Sequence, residues 1–301
     1  MRVASTIARN RFLDSLFTVA SLLAMLVGFA TLLAVFLGLA VDGWPRLTWR
    51  FFTSYPSRFP EEAGILSAWV GTTVVMLVTA LTAVPVGVAA AVYLEEYAPR
   101  NRLTDLIEIN IANLAGVPSI VYGLLALGLL VYQLGLGQSI LTAGLTLALL
   151  ILPIVVTSAR EAVRSVPNSI REAAYALGAT KWQTVKDHVL PSATGGILTG
   201  LIIALSRAIG ESAPLITIGA LSFIAFLPHP PWQPELPYLS FQWLMDPFTV
   251  MPIQMFNWVS RPQEEFHANA AAAGLVLMGM TLAMNGLAIA IRARFRKRIK
   301  W

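Results

Sequence analysis

Residues 171 to 191 read REAAYALGATKWQTVKDHVLP, a polar stretch between two apolar runs that are each long enough to cross a bilayer. Ser169, Ile170, Arg171 and Glu172 fit a capping box, in which Ser169 accepts from the Glu172 backbone N–H and the Glu172 carboxylate returns to the Ser169 N–H. Ala173 to Leu177 then continue a short helix, and Gly178 can take the left-handed conformation that closes it. Residues 181 to 189 are predicted as a second helix, with Pro191 just before the next apolar run. A helix-turn-helix with small Ala173 and Ala174 on one face invites close approach by another protein. The alternative role for Glu172 is as a cap and nothing more.

Composition says which solvent surrounds the rest. The chain is 56% hydrophobic and only 12% charged, with a mean hydropathy of +0.70, more apolar surface than a globule of 301 residues could hide. The absence of Cys rules out a disulfide framework and thiolate metal or redox sites, and three scattered His residues make no zinc signature. Neither a metal nor another cofactor is expected, and no catalytic residue is assigned.

A hydrocarbon core of about 30 Å needs about 20 apolar residues per helix. Six segments qualify, at about 15–41, 63–94, 111–134, 138–157, 196–224 and 268–291, so the expected fold is all-α and polytopic. The first is far longer than the apolar core of a secretory signal and is read as an uncleaved anchor. Residues 1–14 form an N-terminal tail, 15–292 one six-helix membrane domain and 293–301 a basic tail. With the N-terminus inside, sixteen Lys and Arg residues fall on the cytoplasmic side, and Arg46, Arg50, Arg58 and Arg261 on the other. That asymmetry places both termini in the cytoplasm. It also accounts for the basic balance without a nucleic-acid partner. The segment at 158–195 is then a cytoplasmic loop, and 225–267 an exterior one.

The exterior loop carries eight prolines, which exclude long regular helix, interleaved with Trp232, Trp243 and Trp258. Those indoles form an interfacial belt, or a docking surface for an extracytoplasmic protein in addition. In the third span Gly116, Pro118 and Gly123 mark a bend or a close helix contact. Pro85 and Gly87 read as a kink in the second, and Asn113 and Asn285 as interhelical hydrogen-bond residues.

The fifth span holds Ser206-Arg207-Ala208-Ile209-Gly210-Glu211-Ser212-Ala213-Pro214. Counting from Gly196 at 1.5 Å per residue, Arg207 is expected roughly 16 Å into the span, near mid-bilayer. Glu211 follows one turn later on the same face and can neutralise it. Intramembrane charges are expensive and usually face a bundle interior or a water-filled path. The pair is either a structural tie between helices or part of an anion's route, with the planar guanidinium suited to phosphate or carboxylate oxygens. Gly210 and Pro214 allow a bend. Ser206 and Ser212 offer hydroxyls to the path, or bond their own helix.

The loop pattern of Glu172, Ala173, Ala174, Gly178, Leu190 and Pro191 resembles the EAA loop of ABC-importer permeases, with His188 standing where that family usually has Ile. Further blocks extend the likeness: residues 93–99 (YLEEYAP), 115–123, 171–181, 206–214 and 256–266 resemble the PstA permeases of phosphate-specific importers. The resemblance implies the type I importer permease fold in the cell membrane. It also implies a sister permease in a heterodimer, two copies of a cytoplasmic ATPase and an extracytoplasmic phosphate-binding protein. This chain contains no GxxxxGK[ST] loop, so the motor is another polypeptide and this one is no enzyme. An ion-coupled secondary transporter would also explain six spans and a buried ion pair, though not the EAA loop. An ABC permease for another small anion is the remaining alternative.

Overall fold

The computed structural model describes residues 2–232 and 238–296. Pro234 and Pro237 of the exterior loop and Lys297, Arg298 and Lys300 of the basic tail lie outside the described residues. Among the described residues the chain is helical, with two isolated β-bridges, Ser139 with Pro247 and Trp232 with Leu239.

The helices are α1 (Arg2–Gly43), α2 (Trp49–Thr53), α3 (Leu66–Val92), α4 (Arg102–Leu114), α5 (Ser119–Ala126), α6 (Ile140–Arg164), α7 (Asn168–Ala176), α8 (Lys181–Thr184), α9 (Leu190–Ile209), α10 (Ala213–Thr217), α11 (Met251–Val259) and α12 (Glu265–Arg296). Five continuous helical segments are long and apolar enough to cross a membrane. A sixth span results if the bent pair α4 and α5 is one crossing.

The centre of the bundle is α6, which packs along α3 on one side and α9 on the other. Val75 and Val78 of α3, Leu147, Ile151 and Val155 of α6, and Ala204 and Ala208 of α9 form its buried core. Buried hydroxyls in these helices find partners close by. The Thr79 hydroxyl donates to the Val75 carbonyl at 2.9 Å, and Thr146 to Thr142 at 2.6 Å, so neither needs water. By contrast α1 is apolar all round and exposed along most of its length, packing chiefly on α12. A helix of that character is stable where lipid covers it.

Pro85 does not interrupt α3, which runs through it to Val92. Three expected spans differ: the fourth runs on past 157 to Arg164, and the third and fifth change more. The third begins at Arg102 instead of near 111 and is broken between Leu114 and Ser119, where its halves diverge by 104°. Pro118, with φ −55° and ψ 135°, ends one helix direction and starts the next, because its extended ψ and missing N–H suit an entry position. The fifth begins at Lys181 instead of 196 and ends at Ile209 instead of 224. The predicted second loop helix is therefore the first part of the span itself. Pro191 lies inside this rod, and just before it the Leu190 N–H reaches back five residues to the Val185 carbonyl in a wide π turn, Val185–Val189. That turn resets the helix register ahead of the residue that cannot donate.

At one end of the bundle α11 folds back onto α3, and the Met251 N–H donates to the Thr72 hydroxyl at 2.8 Å. Trp258 is fully buried here between Phe51 and Phe266, with ring centroids 6.0 and 6.5 Å away. It is a core residue and not part of an interfacial belt, whereas Trp232 is exposed. The opposite end of the bundle carries α7 and α8.

Candidate functional site

Two groups of predicted residues occupy two places. At the α7 end, residues 168 to 184 form the expected helix-turn-helix, with Gly178 at φ +85° in the turn between. Its N–H donates to the Tyr175 carbonyl and that of Ala179 to Ala174, which closes α7. The capping box at Ser169 and Glu172 does not form. Pro167 takes the cap position, so α7 starts at Asn168 and Ser169 is already within its first turn. The box occurs one helix later: the Thr180 hydroxyl accepts from the Gln183 N–H at 3.3 Å, and the Gln183 side chain accepts from the Thr180 N–H at 2.8 Å.

The small residues also part company. Ala173 is exposed and Ala174 is 5% exposed, turned into the chain's own packing. Glu172 points outward, while Leu190 and Pro191 belong to the membrane rod, half-buried. The outer surface of the elbow comprises Glu172, Ala173, Tyr175 and Leu177, the last 90% exposed. Leu177 is not one of the residues predicted from sequence. A large aliphatic side chain directly before the turn glycine, in a segment otherwise polar, is the signal that would have found it.

Sequence reading also missed what holds the elbow. The second membrane helix ends in a π turn, Tyr93–Tyr97, that presents Glu95 and Glu96. Glu95 bonds Arg160 at 2.9 Å and Arg164 at 3.1 Å, both from the end of α6, and Arg160 also meets Glu108 of α4 at 2.5 Å. Glu96 accepts from Arg171 of α7 twice, at 3.0 and 2.6 Å. The legible signal was two adjacent glutamates closing an apolar span, with Arg160 and Arg164 four apart on one helix face.

The second place is the end of α9. Arg207 stands in the last helical turn, not midway along a span, because the rod starts at Lys181 and is roughly 39 Å long by that point. The helix ends at Ile209, so Glu211 lies beyond it and not on a shared helical face. The turn through Gly210 still brings the two together, with Arg207 Nε 3.4 Å from Glu211 Oε1. Arg207 is 39% exposed and Glu211 19%. The guanidinium thus faces an open side of this chain with a single long hydrogen bond, and the terminal nitrogens of its planar fork are available to an oxyanion.

Ser206 is not available. Its hydroxyl donates to the Asn285 side chain of α12 at 2.8 Å, which fulfils the expectation that Asn285 bonds between helices. Ser212 sits at the start of α10, where its carbonyl accepts from the Leu215 and Ile216 N–H groups. The break in the third span comes to the same region. Gly123 of α5 lies against Pro214 and Thr217 of α10 so closely that a Cβ would collide with both. Two irregular segments far apart in sequence are thereby packed beside the Arg207 turn.

Residues 83–301 match the family described as "Binding-protein-dependent transport system inner membrane component". The chain is 32% identical over 253 residues to the probable ABC transporter permease protein YqgI of Bacillus subtilis, covering 82% of this chain and 85% of that one. It is 39% identical over 238 residues to the phosphate transport system permease protein PstA of Mycobacterium leprae, 77% of each. Its fold is similar to that of a chain of a bacterial ABC transporter involved in the import of the acidic polysaccharide alginate. The TM-score is 0.60, with 14% identity, over 98% of this chain and 99% of that one.

Proposed function

The chain belongs to the family of binding-protein-dependent transport system inner membrane components, and on that premise we propose that it is the permease subunit of an ABC importer for inorganic phosphate. The observation that carries the substrate is the 39% identity to a phosphate transport permease over 77% of the chain. The exposed fork of Arg207 is the chemical counterpart, since a guanidinium meets a tetrahedral oxyanion through paired N–H donors.

In this reading the end carrying α7 faces the cytoplasm, in line with the sixteen-to-four division of basic residues, and both termini lie there in a cell membrane. Arg207 contacts the anion in the translocation path. Glu211 holds the guanidinium in place between transport events, and Ser212 lines the same stretch. Ser206 orients the helix through Asn285 instead of touching substrate. The open side of Arg207 requires a second wall, which a sister permease in a heterodimer supplies. An extracytoplasmic phosphate-binding protein delivers the anion to the end carrying α11. Lipid covers α1.

The elbow formed by α7 and α8 couples to ATP hydrolysis on a separate ATPase, two copies per complex. Glu172, Ala173 and Leu177 meet it. Ala174 and Gly178 shape the helix and its turn, and Leu190 and Pro191 carry the movement into the membrane rod. No cofactor or metal takes part.

The test replaces both charges, Arg207→Gln with Glu211→Gln, so that no uncompensated charge is left. The reconstituted complex should retain its ATPase yet import phosphate about a hundredfold more slowly, the scale of lost charge-assisted hydrogen bonds. Full import by the assembled double variant would refute the path role of Arg207. A parent complex that imports another small anion and not phosphate would overturn the substrate assignment.

A further inference from the structure

Arg171 is the most heavily bonded side chain at the α7 end. Besides its two bonds to Glu96, it donates to the Val163 carbonyl at 3.0 Å and the Val166 carbonyl at 2.6 Å. Those carbonyls belong to the end of α6 and the connection out of it, so one guanidinium joins the ends of α3 and α6 to the first turn of α7. Glu96 is 7% exposed and Arg171 14%, so the joint is largely dry and its geometry is fixed by donors in a rigid plane. By comparison, Arg164 is half exposed, and its pairing with Glu95 ties α6 to α3 without reaching α7.

The rest of the elbow is attached more lightly, by Ile170 packed on the core and by the Lys181 ammonium 5.0 Å from the Tyr97 ring centroid. Glu172, Ala173, Tyr175, Ala176, Leu177 and Lys181 are exposed, and Ala174 is the one buried residue of α7. A force on the outer surface of α7 must therefore reach the membrane helices through few contacts. Through α8 it enters the α9 rod, which is continuous chain. Through Arg171 it enters α3, seventy-five residues away in sequence.

We propose that Glu96 and Arg171 form a positioning joint that makes α3 move with α7, so that ATPase-driven displacement of the elbow turns α3 and α9 together. This rests on the reading of α7 as the ATPase-facing helix. Neither residue touches the ATPase or the anion. Without the joint, the elbow would still receive the ATPase but would drive chiefly α9, with α3 held to it by the softer Lys181–Tyr97 contact, and hydrolysis would proceed without matched import.

The experiment measures phosphate imported per ATP hydrolysed in the whole reconstituted complex, together with recovery of the ATPase. The variants are Arg171→Lys, which keeps the charge but not the fork, Glu96→Gln, and the double change Glu96→Cys with Arg171→Cys. The chain has no native Cys, so a short bifunctional thiol reagent can replace the ion pair by a covalent tie. The expected result is normal ATPase recovery, import per ATP lower by about tenfold in all three, and recovery of the ratio when the double-Cys complex is crosslinked.

An unchanged ratio in assembled Arg171→Lys and Glu96→Gln would overturn the joint, as would a crosslink that forms and leaves the ratio low. Loss of assembly in all three would make the pair a folding element and also overturn it. A single Cys at Leu177 in the parent complex tests the premise separately. A Leu177→Cys chain that never crosslinks to the ATPase would remove α7 from the coupling contact, whatever the ratio shows.

Discussion

Two arginine–glutamate pairs sit at opposite ends of the same bundle, and they differ in how tightly they are held. Arg207 and Glu211 are four residues apart, joined by one 3.4 Å bond, and the arginine is 39% exposed. Arg171 and Glu96 are joined by two bonds, the Val163 and Val166 carbonyls and Asn168 Oδ1 take the remaining three N–H groups, and both side chains are largely buried. A guanidinium with every donor engaged has nothing to offer a ligand, whereas one held by a single long bond can exchange it for a better acceptor. The saturated pair is suited to hold parts together and the loose one to meet a passing anion.

The largest expected effect separates the pairs by stability. Glu96→Ala leaves the Arg171 charge buried and unpaired, and should cost about 3–5 kcal/mol of folding stability. Glu211→Ala leaves a guanidinium that is already 39% exposed and was held by one long bond, and should cost less than about 1 kcal/mol. Thermal denaturation of the purified chain in detergent, followed by loss of helical signal, measures both. Equal losses would break the distinction.

How far the sequence reaches can be judged from the same regions. The spans were legible because apolar runs of about 20 residues have one physical solution in a bilayer. The elbow was legible because Gly178 and Pro191 punctuate it, and the Arg207 turn because charge inside an apolar run is rare. Span ends were not. Hydropathy sees the polar face of residues 181–189 and stops, although the backbone continues helically through a π turn and Pro191 into the membrane rod. The Glu96–Arg171 joint was hidden for a related reason: local patterns report partners three or four residues apart, and this pair meets through tertiary folding alone. Trp258 illustrates the same limit, since an indole in a proline-rich loop reads as interfacial until its packing against Phe51 and Phe266 is seen.

A second prediction sharpens the contrast at the elbow's surface, where attachment and contact are separable. Leu177 is almost wholly exposed, so Leu177→Ala should alter folding stability by less than about 0.5 kcal/mol. If that side chain is buried against the ATPase, the same change should weaken the complex by about 1.5–3 kcal/mol, a ten- to hundredfold loss in affinity. Ala173→Glu should likewise fold and fail to hold the ATPase, while Ala174→Glu should fail to fold, because only Ala174 is turned inward. Titration of the detergent-solubilised permease with ATPase gives the affinities. Undiminished binding by both Leu177→Ala and Ala173→Glu would move the contact elsewhere.

The smallest effect asks which cap organises the elbow, and it sets the predicted and observed capping boxes against each other. Sequence favours Ser169 with Glu172, because Ser followed three residues later by Glu matches the pattern. Pro167 defeats it by opening the helix earlier, so that Ser169 lies inside the first turn. Thr180 and Gln183 satisfy the same geometry in both directions, at the start of the rod that continues into α9. Thr180→Ala should therefore cost about 1 kcal/mol, and Ser169→Ala a few tenths at most. Because the Thr180 cap secures the turn between α7 and α8, its loss should also raise amide hydrogen exchange around residues 180–184 while leaving 168–172 unchanged. The reverse exchange pattern, with Ser169→Ala loosening the first turn of α7, would restore the first box and displace Pro167 from the cap.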